Sequence, residues 1–392
     1  MNLPLGFQYA ATHVGLRKDP RNDLALIVSD APAYAAAMFT RNRVQAAPVL
    51  LARAHLLESR GVVKAVLVNA GNANCATRTG DAVAAQTCAA TAQTLGAPVE
   101  QIFPASTGVI GVEMDAQPIL SALPALSGAL SPDRFTDVAD AILTTDTRRK
   151  TASAEVKLAG GTVRIAGMTK GAGMIHPQMA TTLAFVMTDA AAPPFLLRTM
   201  LARAISESFN RISVDGDTST NDTALLLAGG KSGVKIGNAD RAPFQAALTE
   251  VFTSLAEQIV RDGEGARKLI IIDVSGAADE PAAERIARAI ANSPLFRTAI
   301  AGSDPNWGRI ISAAGNAGVE FDPAQVDIRL QDTGVCSGGV AADFSEQELK
   351  QKLDAPEVRV RFSIRGTGMG SVRFRTCDLT EKYIEINASY RT

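Results

Sequence analysis

Short, closed runs of apolar residues recur through the first two thirds of the chain. LALIVSD from Leu24, VKAVLVNAG from Val63 and KLIIIDVSG from Lys268 are brief, rich in Val and Ile, and end at Gly or Asp, which predicts buried strands. Between them the period changes. Phe244, Leu248, Val251, Phe252, Leu255 and Ile259 keep helical spacing behind Pro243, and the alanine-rich stretch from Asp81 stops at Gly96, so both are predicted helices. Strands mixed with helices in this way predict an α/β layered protein. The alternation is too irregular for a doubly wound dinucleotide fold, and no G-x-G-x-x-G opens a helix after a strand, which excludes a nicotinamide enzyme.

The last third has a different pattern. VDIRLQDTG, EVRVRFSIRG, GSVRFRTCDL and KYIEINA alternate with the period of two expected of half-exposed strands, with SEQELKQKL as a helix between the first two. GAADEPAA, at Gly276 to Ala283, interrupts the preceding strand with small, acidic and proline residues ahead of a helix running to Ser293. A boundary is therefore predicted there, with an α/β domain over 1–280 and a smaller C-terminal α+β domain over 281–392.

Composition narrows the possible partners. The 392 residues are 46% hydrophobic and 20% charged, enough for a large core, and Lys+Arg 39 against Asp+Glu 40 leaves a net charge of -1. No bulk field then draws the chain to nucleic acid or an anionic membrane, so small-molecule partners are expected. Cys75, Cys88, Cys336 and Cys377 are far apart and form no C-x-x-C, which predicts buried thiols rather than a zinc site or a disulfide framework. MNLPLGFQYAATHVGLRKD has no basic start followed by a sustained apolar run, and no window is long enough to span a bilayer; a cytoplasmic protein is expected.

Only His13, His55 and His176 are present, too scattered for a metal cluster or a Ser-His-Asp triad, so no metal is expected. A base for acyl chemistry must come from elsewhere. Within TKGAGMIHPQMATTLAFVMTDA, from Thr169 to Ala190, a glycine-dense loop runs into an Ala180-Thr181 step and then an apolar strand. A threonine hydroxyl is a poor nucleophile unless a base sits beside it, and its own free α-amine, with a pKa of roughly 7.7 to 8, can be that base. That requires cutting the chain before Thr181. The same hydroxyl could attack the Ala180 carbonyl, shift the acyl group from nitrogen to oxygen and let water open the ester. On residues alone, Thr181 and Thr182 read better as β-branched strand residues, and the pair leaves the cut ambiguous. His176 reads either as an aid to cleavage or as an ordinary loop histidine.

KGAGMIHPQMATTLAF resembles the self-cleavage segment of the ornithine acetyltransferase family, also called bifunctional glutamate N-acetyltransferase. The likeness extends in collinear order to NAGNANCATRTGDA at Asn69, ASTGVIG at Ala105, TTDT at Thr144, DGEGARK at Asp262, GSDPNWGRI at Gly302 and the terminal EINASYRT. It implies a layered, self-processing α/β sandwich cut between Ala180 and Thr181 into 1–180 (alpha) and 181–392 (beta) fragments, two of each forming a heterotetramer. It also implies Thr181 as nucleophile, Thr107 and Gly108 as the oxyanion hole, and substrate contacts from Thr144, Lys170, Thr181, Glu264, Asn387 and Thr392. The implied reaction is ping-pong acetyl transfer from N2-acetyl-L-ornithine to L-glutamate without a cofactor, with acetyl-CoA left open as a second donor.

The chemistry of these residues suits the role. A glycine lets backbone N–H groups converge on an oxyanion, lysine can pair an α-carboxylate, and glutamate an ammonium. The plainer readings are a turn at Ser106-Thr107-Gly108, solvated charges at Lys170 and Glu264, and scaffolding at Asn69 and Asn72. Trp307 and Arg309 read as a pocket wall or domain junction and as an anion contact or surface ion pair. A hydrolase of the N-terminal-nucleophile kind, amidohydrolase or aminopeptidase, shares every catalytic part and differs only in using water as acceptor.

Overall fold

The computed structural model describes residues 1–175 and 182–389. Its first sheet holds β1 (Phe7–Thr12), β2 (Leu24–Phe39), β3 (Val62–Asn72), β4 (Ile102–Val109), β5 (Lys150–Leu158), β6 (Gly161–Lys170), β7 (Leu183–Thr188) and β8 (Thr223–Ala228). The strand order is β4-β3-β2-β8-β7-β6-β5, with β1 pairing β2. β2 serves two sets of partners because it is long and changes register between Val28 and Ala33: its first half lies between β1 and β3, and its second half pairs β8. The helices of this part are α1 (Ala47–Glu58), α2 (Gly80–Leu95), α3 (Gln117–Gly128), α4 (Phe135–Ala141), α5 (Pro194–Glu207) and α6 (Arg241–Arg261).

Strands β7 and β8 explain why the central sequence is apolar on both parities. Every residue of LAFVMT and TALLLA is buried. Ala184 and Val186 pack in one core with α5 and α6, whereas Leu183, Phe185 and Met187 pack in the opposite core with Phe103 and Phe135. A sheet covered on both faces needs such continuous runs. The α/β layering predicted from pattern is thus the observed fold, and the Ala-rich helix ends at Gly96 in the left-handed conformation, φ 62°.

The second sheet is ordered β12-β11-β10-β13-β9-β14. It comprises β9 (Leu269–Ala277), β10 (Val326–Leu330), β11 (Thr333–Ser337), β12 (Val340–Ala341), β13 (Glu357–Ile364) and β14 (Gly370–Cys377). Helices α7 (Glu280–Ala291), α8 (Pro294–Ala301), α9 (Trp307–Gly315) and α10 (Glu346–Leu353) accompany it, and the chain continues into α11 (Glu381–Ser389). The four cysteines are buried free thiols. Among the described residues no helix is long and apolar enough to cross a membrane.

Two sequence expectations change. The boundary expected at 280/281 falls too late, because β9 pairs β13 and β14 at the heart of the second sheet. GAADEPAA is a helix start rather than a linker: Asp279 caps α7 by accepting the Ala282 N–H at 2.7 Å, with Pro281 in the first turn. KYIEINA is helical, not a strand. Thr380 accepts the Lys382 N–H at 3.2 Å and begins α11, and Ile384 is 67% exposed, so the brief alternation marks no buried face.

Candidate active site

Six of the sequence-predicted residues line one cleft: Thr107, Gly108, Thr144, Lys170, Glu264 and Asn387. They come from the end of β4, the loop after α4, the end of β6, the turn after α6, and α11. Thr181, Ala180, Thr392 and His176 lie outside the described residues.

Gly108 sits at φ 131°, and a Cβ placed there would lie 2.2 Å from the Gly71 carbonyl carbon and 2.5 Å from the Asn72 nitrogen. Only glycine lets β4 approach β3 this closely, where the parallel register breaks at Gly71 and Asn72. The asparagines of NAGNAN are the struts beneath. Asn69 donates to the Asn72 carbonyl at 2.9 Å and accepts from the Ser106 hydroxyl, while Asn72 donates to the Val112 carbonyl at 3.0 Å. Their scaffolding reading is the observed one.

A buried ion network ties the other motifs together. Lys150, 1% exposed, donates to Asp146 at 2.6 Å and to Asp262 at 2.5 Å. Asp146 also accepts the Thr144 N–H at 2.9 Å and the Gly171 N–H at 2.6 Å, and Asp262 accepts the Thr147 N–H at 3.0 Å. The TTDT loop, the glycine loop after Lys170 and the DGEG turn are therefore fixed to one cation. Glu264 is held in turn: its N–H donates to the Ala172 carbonyl at 2.9 Å, and its carboxylate accepts from Asn387 at 2.8 Å. Asn221, ahead of β8, donates to the Ala73 carbonyl at 2.7 Å and the Ser106 carbonyl at 2.8 Å, joining that loop to the β3–β4 edge.

These placements set the charges. Burial depresses the Lys170 ammonium below its usual range, an effect opposed by Asp146, Asp222 and Glu264. Burial also pushes Asp222 well above the ordinary carboxylate range despite Lys170. Asp146 would rise on burial too, yet Lys150 and Lys170 hold it down at about 2. Lys150, Asp146, Asn221 and Asp222 were not singled out from sequence. The available signal was their position: Asp146 lies inside TTDT, and Asn221-Asp222 stand immediately before the largely apolar run TALLLA. Arg309 and Trp307 are not brought to the cleft; Arg309 donates to the Leu295 carbonyl at 2.6 Å, and Trp307 packs on the second core. Among the described residues no group of three or more His, Cys, Asp or Glu could hold a metal ion.

A polar cleft lined by hydroxyls, a lysine and several carboxylates defines an enzyme site suited to a small zwitterionic substrate. Comparison with known proteins gives the lineage. The ArgJ family model matches residues 8–392. The arginine biosynthesis bifunctional protein ArgJ of Thermus thermophilus is 46% identical over 100% of both chains, and that of Chlorobaculum tepidum 44% identical over 99% of this chain and 96% of its own. The crystal structure of the protein of that name from Bacillus halodurans is 40% identical, with a TM-score of 0.51 over 53% of this chain and 98% of that chain. The chain belongs to the ArgJ family.

Proposed function

We propose that the cleft transfers acetyl from N2-acetyl-L-ornithine to L-glutamate by a ping-pong route through Thr181, releasing L-ornithine and then N-acetyl-L-glutamate. Membership of the ArgJ family makes the chain an acyltransferase of arginine biosynthesis. The observation that carries the reading is the convergence of Thr107, Gly108, Thr144, Lys170, Glu264 and Asn387 on one cleft from five separate stretches of sequence. In this reading Thr107 and Gly108 stabilise the tetrahedral oxyanion, and Lys170 pairs the α-carboxylate common to both amino acids. Glu264, oriented by Asn387, suits the side-chain ammonium of ornithine. Cleavage at Ala180/Thr181 supplies the α-amine that acts as base.

The bifunctional designation of the relatives supports acetyl-CoA as a second donor to the same nucleophile. No cofactor is needed. A cytoplasmic heterotetramer of 1–180 and 181–392 fragments belongs to the same proposal. The denatured intact mass of purified protein tests it first: two fragments meeting at Ala180/Thr181 are expected, and a single full-length species would remove the nucleophile. With acetylornithine as donor, added glutamate should divert acetyl into acetylglutamate. Acetate release indifferent to glutamate would identify a hydrolase instead.

A further inference from the structure

We infer that Asp222 is a further catalytic residue, the group that carries the second proton of the transfer cycle. The inference rests on the reaction proposed above. A neutral amide nitrogen becomes an ammonium when ornithine leaves, and an ammonium becomes an amide nitrogen when glutamate is acetylated. Two protons thus move in each half. The Thr181 hydroxyl and its α-amine account for one. The other needs a group in the cleft that gives it up in the first half and recovers it in the second.

The pairing of the cleft carboxylates singles out Asp222. Asp146 is bound to Lys150, Asp215 accepts the Met174 and Ile175 N–H groups at 2.5 and 2.8 Å, and Glu264 accepts from Asn387. Asp217 is exposed. Asp222 lines the cleft, is 2% exposed and is hydrogen-bonded by Ser219, yet keeps a buried Oδ2 with no hydrogen-bond partner among the described residues. A buried unpaired carboxylate oxygen is costly, which is tolerable where a proton or a substrate N–H completes it. Its place is also right. Lys170, the cation that acts on Asp222, is the one assigned to the substrate α-carboxylate, and the α-nitrogen is a single carbon away from that carboxylate. The remaining charges around this pair are Asp146, Lys150 and Glu264 on the Lys170 side, and Asp215 and Asp217 in the loop ahead of β8. Burial raises the Asp222 pKa, which suits a carboxyl that must be protonated in one half of the cycle.

The steps balance. As the amide C–N bond of acetylornithine breaks, its nitrogen takes the Thr181 hydroxyl proton by way of the α-amine; the freed amine then takes the Asp222 carboxyl proton and leaves as ammonium. Glutamate returns that proton to Asp222, its neutral amine attacks the acetyl carbonyl, the ester bond to Thr181 breaks, and the remaining proton restores the hydroxyl.

The test is single-turnover deacylation of acetyl-enzyme, wild type and Asp222→Asn, with two acceptors. Glutamate arrives as an ammonium; hydroxylamine arrives unprotonated near neutral pH and has no second proton to lose. The variant is expected to transfer to glutamate about 100-fold more slowly near neutral pH, with the deficit shrinking as pH rises, and to hydroxylamine within a factor of about two of wild type. Equal slowing with both acceptors, or unchanged transfer to glutamate, overturns the assignment. A wild type that forms no acetyl-enzyme overturns the proposed reaction itself. Should the variant fail to mature, the wild-type profile decides: transfer to glutamate that levels off well below the amine's own pKa supports Asp222, and transfer that climbs tenfold per pH unit up to that pKa refutes it.

Discussion

The Thr182 hydroxyl lies 2.9 Å from the Thr169 hydroxyl, which itself donates to the Leu183 carbonyl at 3.0 Å. Both side chains are buried. The Thr182 hydroxyl reaches the same Leu183 carbonyl at 3.4 Å, so its oxygen is held inside the sheet. The two adjacent threonines, equivalent on paper, are therefore not equivalent in the fold.

Thr182→Val should accordingly retain self-cleavage and acetyl transfer. Thr169 keeps its carbonyl acceptor, so the loss of one buried hydrogen bond is expected to cost about 1 kcal/mol of stability. Thr181→Ala should give an intact, inactive chain. Intact mass and a thermal melt of the two variants side by side check this; an uncleaved Thr182→Val protein of normal stability would move the nucleophile.

Gly108→Ala tests whether the β3–β4 approach makes the oxyanion site. The added methyl meets backbone, which has no rotamer by which to yield, at a φ that L side chains rarely adopt. A loss of about 3 kcal/mol or more is expected, with kcat falling further than the residual folded fraction explains. Normal activity at normal stability would show that β4 can shift without harm.

Much of this was legible in sequence because it is periodic or local. The apolar runs of β3 and β9 and the helical face of α6 follow from the demands of a two-faced core. Gly108 and the residues of TTDT, KGAG and DGEG were legible through family likeness. What the sequence hid is long-range pairing. Lys150 looks like a solvated strand residue, and only the fold brings Asp146 and Asp262, the latter 112 residues away, onto its ammonium. Asp222 was hidden for the same reason: its significance is one oxygen with no partner among the described residues, and that has no local signature. KYIEINA misled because its few alternating positions match a strand as well as a helix capped by Thr380.

Lys150→Met should be among the most damaging substitutions away from direct substrate contact. It strands two buried carboxylates, for an expected loss of about 3 to 5 kcal/mol, and frees the loops carrying Thr144 and Gly171. Asp146 adds a pH signature. Its carboxyl is held at about 2, below its unfolded value, so its stabilising contribution is complete above the unfolded pKa of about 4 and is lost as pH falls through about 2. Without Lys150 that carboxyl titrates at higher pH. Acid unfolding followed by circular dichroism should therefore begin at higher pH in Lys150→Met than in wild type, and unchanged acid midpoints would show that the network contributes nothing.

Asn387 separates binding from folding most cleanly. Its amide donates both to the Glu264 carboxylate at 2.8 Å and to the Tyr383 carbonyl at 3.0 Å, so it anchors a substrate-facing acid from a helix that contributes no fully buried residue to either core. Removing the amide leaves the folded body intact but lets Glu264 choose other orientations. Asn387→Ala should thus lower stability by about 1 kcal/mol at most. The KM for acetylornithine, whose side-chain ammonium Glu264 is assigned to meet, should rise by about tenfold, equivalent to about 1.4 kcal/mol of lost binding. Glutamate carries no such ammonium, so its KM should change less. An equal rise for both substrates would mean that Asn387 shapes the cleft as a whole rather than aiming Glu264.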